Sequence, residues 1–259
     1  MHLLIYGPGR LGSAIAAAAS GAGWASPALV GRAIEGRRTD APRADVVIDA
    51  SSGAAVLDNL EHALSGGSRA FVLAATGWER DLPAVRARLL DAGAAAVVAP
   101  NLSLGAAMFL RLAETAAAWY AAAGDFEPSV VEWHRSGKAD RPSGTARAIA
   151  RHIATADPRW SFDGEATGGA MGDATGDARR RLEVFGVRAG AAPGTHVVTF
   201  DGPGESVELR LTARDRSAYA EGALAAARWL TREPRTVGLH PFDAVVDDML
   251  ADRLAAVPV

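Results

Sequence analysis

Four apolar residues, Leu3-Leu4-Ile5-Tyr6, run into Gly7-Pro8-Gly9-Arg10-Leu11-Gly12 and then into an alanine-rich stretch, Ser13 to Ala19. A strand with no polar face is the kind buried on both sides of a parallel sheet. The alanine-rich stretch reads as the helix that crosses back. Between them the glycines fall in a G-x-G-x-x-G pattern, in the order strand, turn, helix. Gly7 permits a tight turn, Gly9 lets the backbone approach a pyrophosphate, and Gly12 lets helix and strand pack closely. Dinucleotide binding is the functional reading, with Gly7, Pro8, Gly9, Arg10, Leu11 and Gly12 as the cradle. A tight turn with no ligand is the plainer one.

The pattern repeats. Apolar strands are expected at Ala25 to Val30, Val46 to Ser52, Ala70 to Thr76 and Ala95 to Ala99, with helical segments at Ala55 to Leu64 and Pro83 to Leu90. Strands alternating with helices predict an α/β unit of the Rossmann type, doubly wound about a parallel sheet. Asp49, at the polar end of its strand, is a candidate cofactor or loop-stabilising group, with structure its expected role. Where an NAD-preferring protein carries an acid after the second strand, this chain has Gly31-Arg32, with Arg37 and Arg38 nearby. Arg32 is therefore a candidate contact for the 2′-phosphate of NADPH, and NADPH the expected preference over NADH.

The 259 residues contain no cysteine, which excludes disulfides, thiolate metal sites and a cysteine nucleophile. A net charge of −3 gives no reason to expect a nucleic-acid or membrane-surface partner. With no apolar run near the length of a span and no leader at the first strand, the expected compartment is the cytoplasm. Histidines are too scattered for a local metal motif, so no metal is assigned, although a fold can assemble ligands that sequence separates.

After Leu104, Ala106 to Ala123 reads as a long helix with Met108, Phe109, Leu112 and Trp119 as packing residues. Pro128 to His134 is a strand, and Ala146 to Ala154 a helix that Ser143 or Thr145 can cap. Between strand and helix lie His134, Arg135, Lys138 and Arg141. Cations beside an open helix N-terminus cradle carboxylate or phosphate. Arg135, Lys138 and the amides of Gly144 and Thr145 can grip carboxylates, and His134 can donate a proton near neutral pH. A solvated basic loop is the alternative reading. Asp163 to Asp177 lacks periodicity and reads as a surface loop. Leu182 to Arg188, His196 to Phe200 and Ser206 to Leu211 alternate like antiparallel strands joined by short turns, so a second, α+β unit with a mixed, largely antiparallel sheet is expected. Its bounds are 106–214, with a dinucleotide-binding unit at 1–105 to which 215–259 returns. Pro241 to Leu250 is the expected closing helix.

The stretch from Glu132 to Ala146 resembles the E-x-H-H-x-x-K-x-D-x-P-S-G-T-A signature of the dihydrodipicolinate (4-hydroxy-tetrahydrodipicolinate) reductase family. Glu132, His134, Lys138, Asp140, Pro142, Ser143, Gly144, Thr145 and Ala146 match in order, and Arg135 stands where the family has its second histidine. The family's G-T-T-G loop beside the nicotinamide is similar to Ala74-Ala75-Thr76-Gly77, and its A-N-F-S loop to Pro100-Asn101-Leu102-Ser103. A Val-Arg-Ala-Gly strand is shared as Val187 to Gly190. Arg216 to Ala223 is similar to S-R-x-x-F-A-x-G-A, whereas Leu211 occupies the place of a family histidine.

The resemblance implies reduction by NADPH or NADH of a cyclic unsaturated imine dicarboxylate, in diaminopimelate and lysine synthesis. It implies His134 as acid with Lys138 as its partner, Arg135, Ser143, Gly144, Thr145 and Arg216 toward the substrate, and the two loops toward the cofactor. It further implies a homo-oligomer, commonly a tetramer. Two alternatives stay open: a same-fold reductase acting on another imine or oxo acid, and a nucleotide-sensing protein without turnover.

Overall fold

The computed structural model describes residues 1–25, 27–31, 41–164, 180–233 and 235–255. The chain divides into two compact units, Met1–Leu104 with Arg216–Val259, and Gly105–Asp215.

The first unit begins as the pattern requires. Strand β1 (Leu3–Tyr6) is buried along its length and leads through the glycine turn into helix α1 (Arg10–Gly21). β2 (Ala28–Val30) and β3 (Val46–Asp49) follow, then α2 (Val56–Ser65), β4 (Ala70–Leu73), α3 (Leu82–Ala92) and β5 (Ala95–Val98). β2 is shorter than expected and its residues are half-buried or exposed, as befits an edge strand.

In the second unit, α4 (Leu104–Ala123) leads to β6 (Glu127–His134), α5 (Gly144–Ala156), the two-residue strands β7 (Trp160–Ser161) and β8 (Arg180–Arg181), β9 (Glu183–Arg188), β10 (Gly194–Asp201) and β11 (Ser206–Ala213). The chain then re-enters the first unit as α6 (Ser217–Arg232), β12 (Gly238–Pro241) and α7 (Phe242–Leu254).

The first sheet has the order β12-β5-β4-β3-β1-β2, every pairing parallel. Its order reverses between β1 and β3, the switch point where such sheets bind ligands beyond the carboxyl ends of their strands. The sixth strand, β12, was not among the expected elements. Four residues that include a glycine and a proline carry too little pattern to be read as a strand.

The second sheet has the order β11-β10-β6-β9. β10 is antiparallel to both β11 and β6 and β9 runs parallel to β6, so the sheet is mixed and largely antiparallel as expected, although β9 lies beside β6 and forms no hairpin with β10. The reason lies in the connection: α5 carries the chain back before β9 begins, which makes a crossover rather than a turn. α4 brings a second correction. Phe109 is 6 % exposed, but Leu112 and Trp119 are 57 % and 72 % exposed. α4 buries Ala106, Ala107, Phe109, Ala113 and Ala117, and its large side chains at Leu112 and Trp119 are left outside. Among the described residues no helix is long and apolar enough to cross a membrane.

Candidate active site

The glycine turn is built as a cradle. Gly7 has φ +93°, and a side chain there would meet the Ala50 carbonyl and Ser51 backbone at 2.7 Å. A Cβ at Gly12 would lie 2.0 Å from the Gly7 carbonyl oxygen, whereas one at Gly9 would meet open space. Gly9 is the N-cap of α1, and neither a capping side chain nor an acidic residue occupies that first turn. Amides at a bare helix start beside an open glycine suit a pyrophosphate. Pro8 and Arg10 are exposed and Leu11 half-buried.

The loop after β3 braces this cradle. Asp49 Oδ1 accepts from the Ser51 amide at 2.9 Å and from its hydroxyl, while Oδ2 accepts from Asn59 Nδ2 at 3.0 Å. Burial pushes the Asp49 carboxyl up, against those hydrogen bonds. Ala74 and Ala75, after β4, both donate their amides to the Asp49 carbonyl, at 2.8 and 3.0 Å. Ala75 is buried and Thr76 exposed. In the loop after β5, Ser103 donates its amide to Asn101 Oδ1 at 2.9 Å, Leu102 is buried and Pro100 exposed. Arg216 sits at the N-cap of α6 in this same unit, its guanidinium 5.5 Å from the Tyr219 ring centre. Arg32, Arg37 and Arg38 lie outside the described residues, as does the expected loop from 165 onward.

The second unit gathers its polar groups on one face of its sheet. Glu132 and His134 are two apart on β6 and so point the same way. Register places His196 opposite Glu132 on β10, and Gly186 and Arg188 opposite Glu132 and His134 on β9. Leu211, the departure on β11, pairs with His196 in turn. The glycines make the room. A Cβ at Gly186 would stand 3.0 Å from Glu132 Oε1, and one at Gly194 3.1 Å from His134 Nε2.

Glu132 is fully buried and surrounded. Its Oε1 accepts from Arg188 Nη2 at 2.8 Å and from the Ser143 amide at 2.9 Å. Its Oε2 faces two imidazoles, His134 Nδ1 at 3.3 Å and His196 Nε2 at 3.5 Å, both poorly aligned for hydrogen bonds. Burial would raise the Glu132 carboxyl, but His196, Ser143 and Arg188 outweigh it and hold it well below the usual carboxylate range.

Arg188 is fixed by carbonyl acceptors as well. It donates to the Lys138 carbonyl at 3.2 Å, to that of Val187 at 2.9 Å and to that of Asp140. Ser143 accepts the Ala146 amide on Oγ at 3.2 Å and so caps α5, a bond worth about 1 kcal/mol. Lys138 Nζ is 2.7 Å from Asp140 Oδ1. Burial would raise the Asp140 carboxyl, but the Lys138 hydrogen bond and charge, with the amides of Asp140 and Gly144, bring it below its ordinary value.

His134 holds its proton more weakly than an ordinary imidazole. Burial first, then the imidazole of His196 and the cations Lys138 and Arg188, push it down to about 4 against the pull of Glu132. His134 is therefore neutral at pH 7. Because an ionised carboxylate only accepts, the one proton of neutral His134 belongs on Nδ1, toward Glu132, leaving Nε2 at the Gly194 side.

His134, Lys138 and Ser143 are thus brought together in one unit, with Gly144 and Thr145 opening α5 beside them. Exposed Arg135 turns back on its own loop, Nη1 3.0 Å from where a Gly137 Cβ would be. Arg188, His196 and the two glycines were not singled out as site residues, and Glu132 only as a motif match. A histidine in the inward register of Val198 and Phe200 was the available signal for His196. Glu132, His134 and His196 could between them offer a metal three atoms within 4.8 Å. Arg188 already holds the carboxylate and Lys138 acts on His134 from the following loop, charges that oppose a divalent cation.

A family model described as "Dihydrodipicolinate reductase, C-terminus" matches residues 105–242. The chain is 33 % identical over 210 residues to a 4-hydroxy-tetrahydrodipicolinate reductase of Cutibacterium acnes, covering 79 % of this chain and 83 % of that one. It is 34 % identical over 213 residues to the enzyme so named from Rhodopirellula baltica, covering 80 % of this chain and 72 % of that one. A dipicolinate-bound dihydrodipicolinate reductase from Paenisporosarcina sp. TG-14 shares the fold, with a TM-score of 0.68 and 19 % identity across 93 % of this chain and 97 % of that one. The chain belongs to the dihydrodipicolinate reductase family.

Proposed function

We propose that this chain reduces a cyclic unsaturated imine dicarboxylate, the dihydrodipicolinate precursor, to tetrahydrodipicolinate, and so serves diaminopimelate and lysine synthesis in the cytoplasm. The observation that carries the reading is His134, backed by buried Glu132 and ringed by Lys138 and Arg188. When bound at the Gly7–Gly12 cradle, NAD(P)H supplies the hydride. NADPH is the preferred form, because Gly31 leaves out the acid that would repel a 2′-phosphate and Arg32 follows it. The two loops at Ala74–Thr76 and Pro100–Ser103 complete the cofactor side.

The protein's own residues do the rest. Lys138, Arg135 and the N-terminal turn of α5 at Ser143, Gly144 and Thr145 bind and orient the two carboxylates, with Arg216 assigned to the substrate by resemblance. The arriving dicarboxylate brings negative charge to His134 and offsets Lys138 and Arg188, which add to burial in keeping it neutral, so His134 takes up a proton as substrate binds. Nε2–H is then the donor, and Glu132 stabilises the imidazolium on its inner side. The chain assembles as a homo-oligomer, a tetramer in the family. The outer face of the four-stranded sheet, where Phe185 is 54 % exposed, is the surface for it.

The test is oxidation of NADPH by the protein with freshly formed dihydrodipicolinate. Turnover is expected, with kcat/KM higher for NADPH than for NADH. Binding of NADPH without turnover would move the assignment to a nucleotide sensor. Turnover only with another imine or oxo acid would make Arg135 and Leu211 the specificity-changing residues.

A further inference from the structure

The site leaves one buried imidazole without a task. His196 is 4 % exposed, on the strand beside that of the acid, and its ring meets that of His134 edge-on with centres 5.2 Å apart. Its Nε2 lies 3.2 Å from Ser143 Oγ and 3.5 Å from Glu132 Oε2. The carboxylate can only accept, so His196 presents Nε2–H toward it. Its Nδ1 is buried and has no hydrogen-bond partner among the described residues. Oε2 is thus the one atom that both imidazoles face, since Oε1 is taken by Arg188 and the Ser143 amide.

We propose that His196 is a positioning residue, which competes with His134 for the single carboxylate oxygen both face and so limits how firmly Glu132 holds the proton of the acid. The proposal rests on the acid role of His134 given above. An acid that must give up its proton within each turnover gains nothing from a carboxylate that grips it too tightly. His196 draws part of that charge to itself, and Ser143, fixed as the cap of α5, keeps His196 in place. The charged or titratable groups facing His134 are Glu132 on β6, His196 on β10, Arg188 on β9, and Lys138 with its partner Asp140 in the loop after β6. Without His196, Glu132 Oε2 turns wholly to His134, which then holds its proton more tightly.

The experiment compares His196→Leu with His196→Gln, whose amide nitrogen reaches the place of Nε2 without titrating. Two readouts are taken: the NMR titration of the His134 ring in the free protein, and the pH profile of kcat with NADPH and dihydrodipicolinate. In His196→Leu the His134 midpoint is expected to rise by about one pH unit. The basic limb of kcat should move with it, kcat should fall roughly tenfold, and KM for NADPH should stay as in the wild type. His196→Gln should recover most of that loss and return the midpoint toward its wild-type position. An unmoved midpoint in His196→Leu, or equal movement in both variants, overturns the proposal. Should His196→Leu not fold, His196→Asn, whose amide stops one bond short of Oε2, carries the same expectation. If the wild type fails to turn over, the functional assignment is lost, and the free-protein titration still decides the role of His196.

Discussion

The depressed proton affinity of His134 has a consequence for stability that can be measured without substrate. In the unfolded chain this imidazole has its ordinary value of 6.5, and in the folded protein burial and the cations around it bring it to about 4. The folded state therefore binds the proton more weakly, and acidification through the window between those values favours the unfolded chain. At pH 7 about a quarter of unfolded chains are protonated at this site, and the penalty is only about 0.2 kcal/mol. At pH 5 the unfolded imidazole is almost fully protonated and the folded one is not, which costs about 2 kcal/mol. The side chain is only 13 % exposed, so solvent does little to reduce that figure.

His134→Gln removes the titration. In urea unfolding, the wild type should lose about 2 kcal/mol more than His134→Gln between pH 7 and pH 5. The Glu132 carboxyl, held below its usual range, adds a loss of the same sign only as pH falls below 4.5, beneath this window. A difference under about 0.5 kcal/mol, or one of opposite sign, would refute the claim that burial and the cations hold His134 neutral.

Two further substitutions probe the same face. Glu132→Gln strands Arg188, whose side chain is 7 % exposed, and should cost about 3 kcal/mol in chemical denaturation, the low end for a broken buried pair because carbonyls still hold the guanidinium; a cost below about 1 kcal/mol contradicts the pairing. Arg135→Ala should raise KM for the dicarboxylate more than it lowers kcat, and an unchanged KM in steady-state kinetics makes Arg135 a bystander.

Where the sequence reading succeeded, one local rule was enough. Gly7 to Gly12 needed only the order strand, turn, helix, and the Pro142-Ser143-Gly144 helix start needed only a capping serine, which the structure supplies as Ser143 Oγ on the Ala146 amide. Failures came where the answer lay between strands. His196 is 62 residues from His134 in the chain, and only the β6–β10 register sets it opposite Glu132. The direction of β9 depended on where α5 delivers the chain. Trp119 and Leu112 were misplaced because, beside Phe109, the inner face of α4 is made of alanines, so size was a poor guide to it. The weakened hold of His134 on its proton had no local signal either. Burial beside Lys138 and Arg188 is a property of the folded site alone.

In the proposed mechanism His134 becomes charged only when a dicarboxylate arrives. Calorimetric titration of the protein with dipicolinate at pH 7, in two buffers of different ionisation enthalpy, counts the protons taken up on binding. Close to one proton per site is expected in the wild type and close to none in His134→Ala. Dipicolinate binding with no proton uptake by the wild type would contradict it.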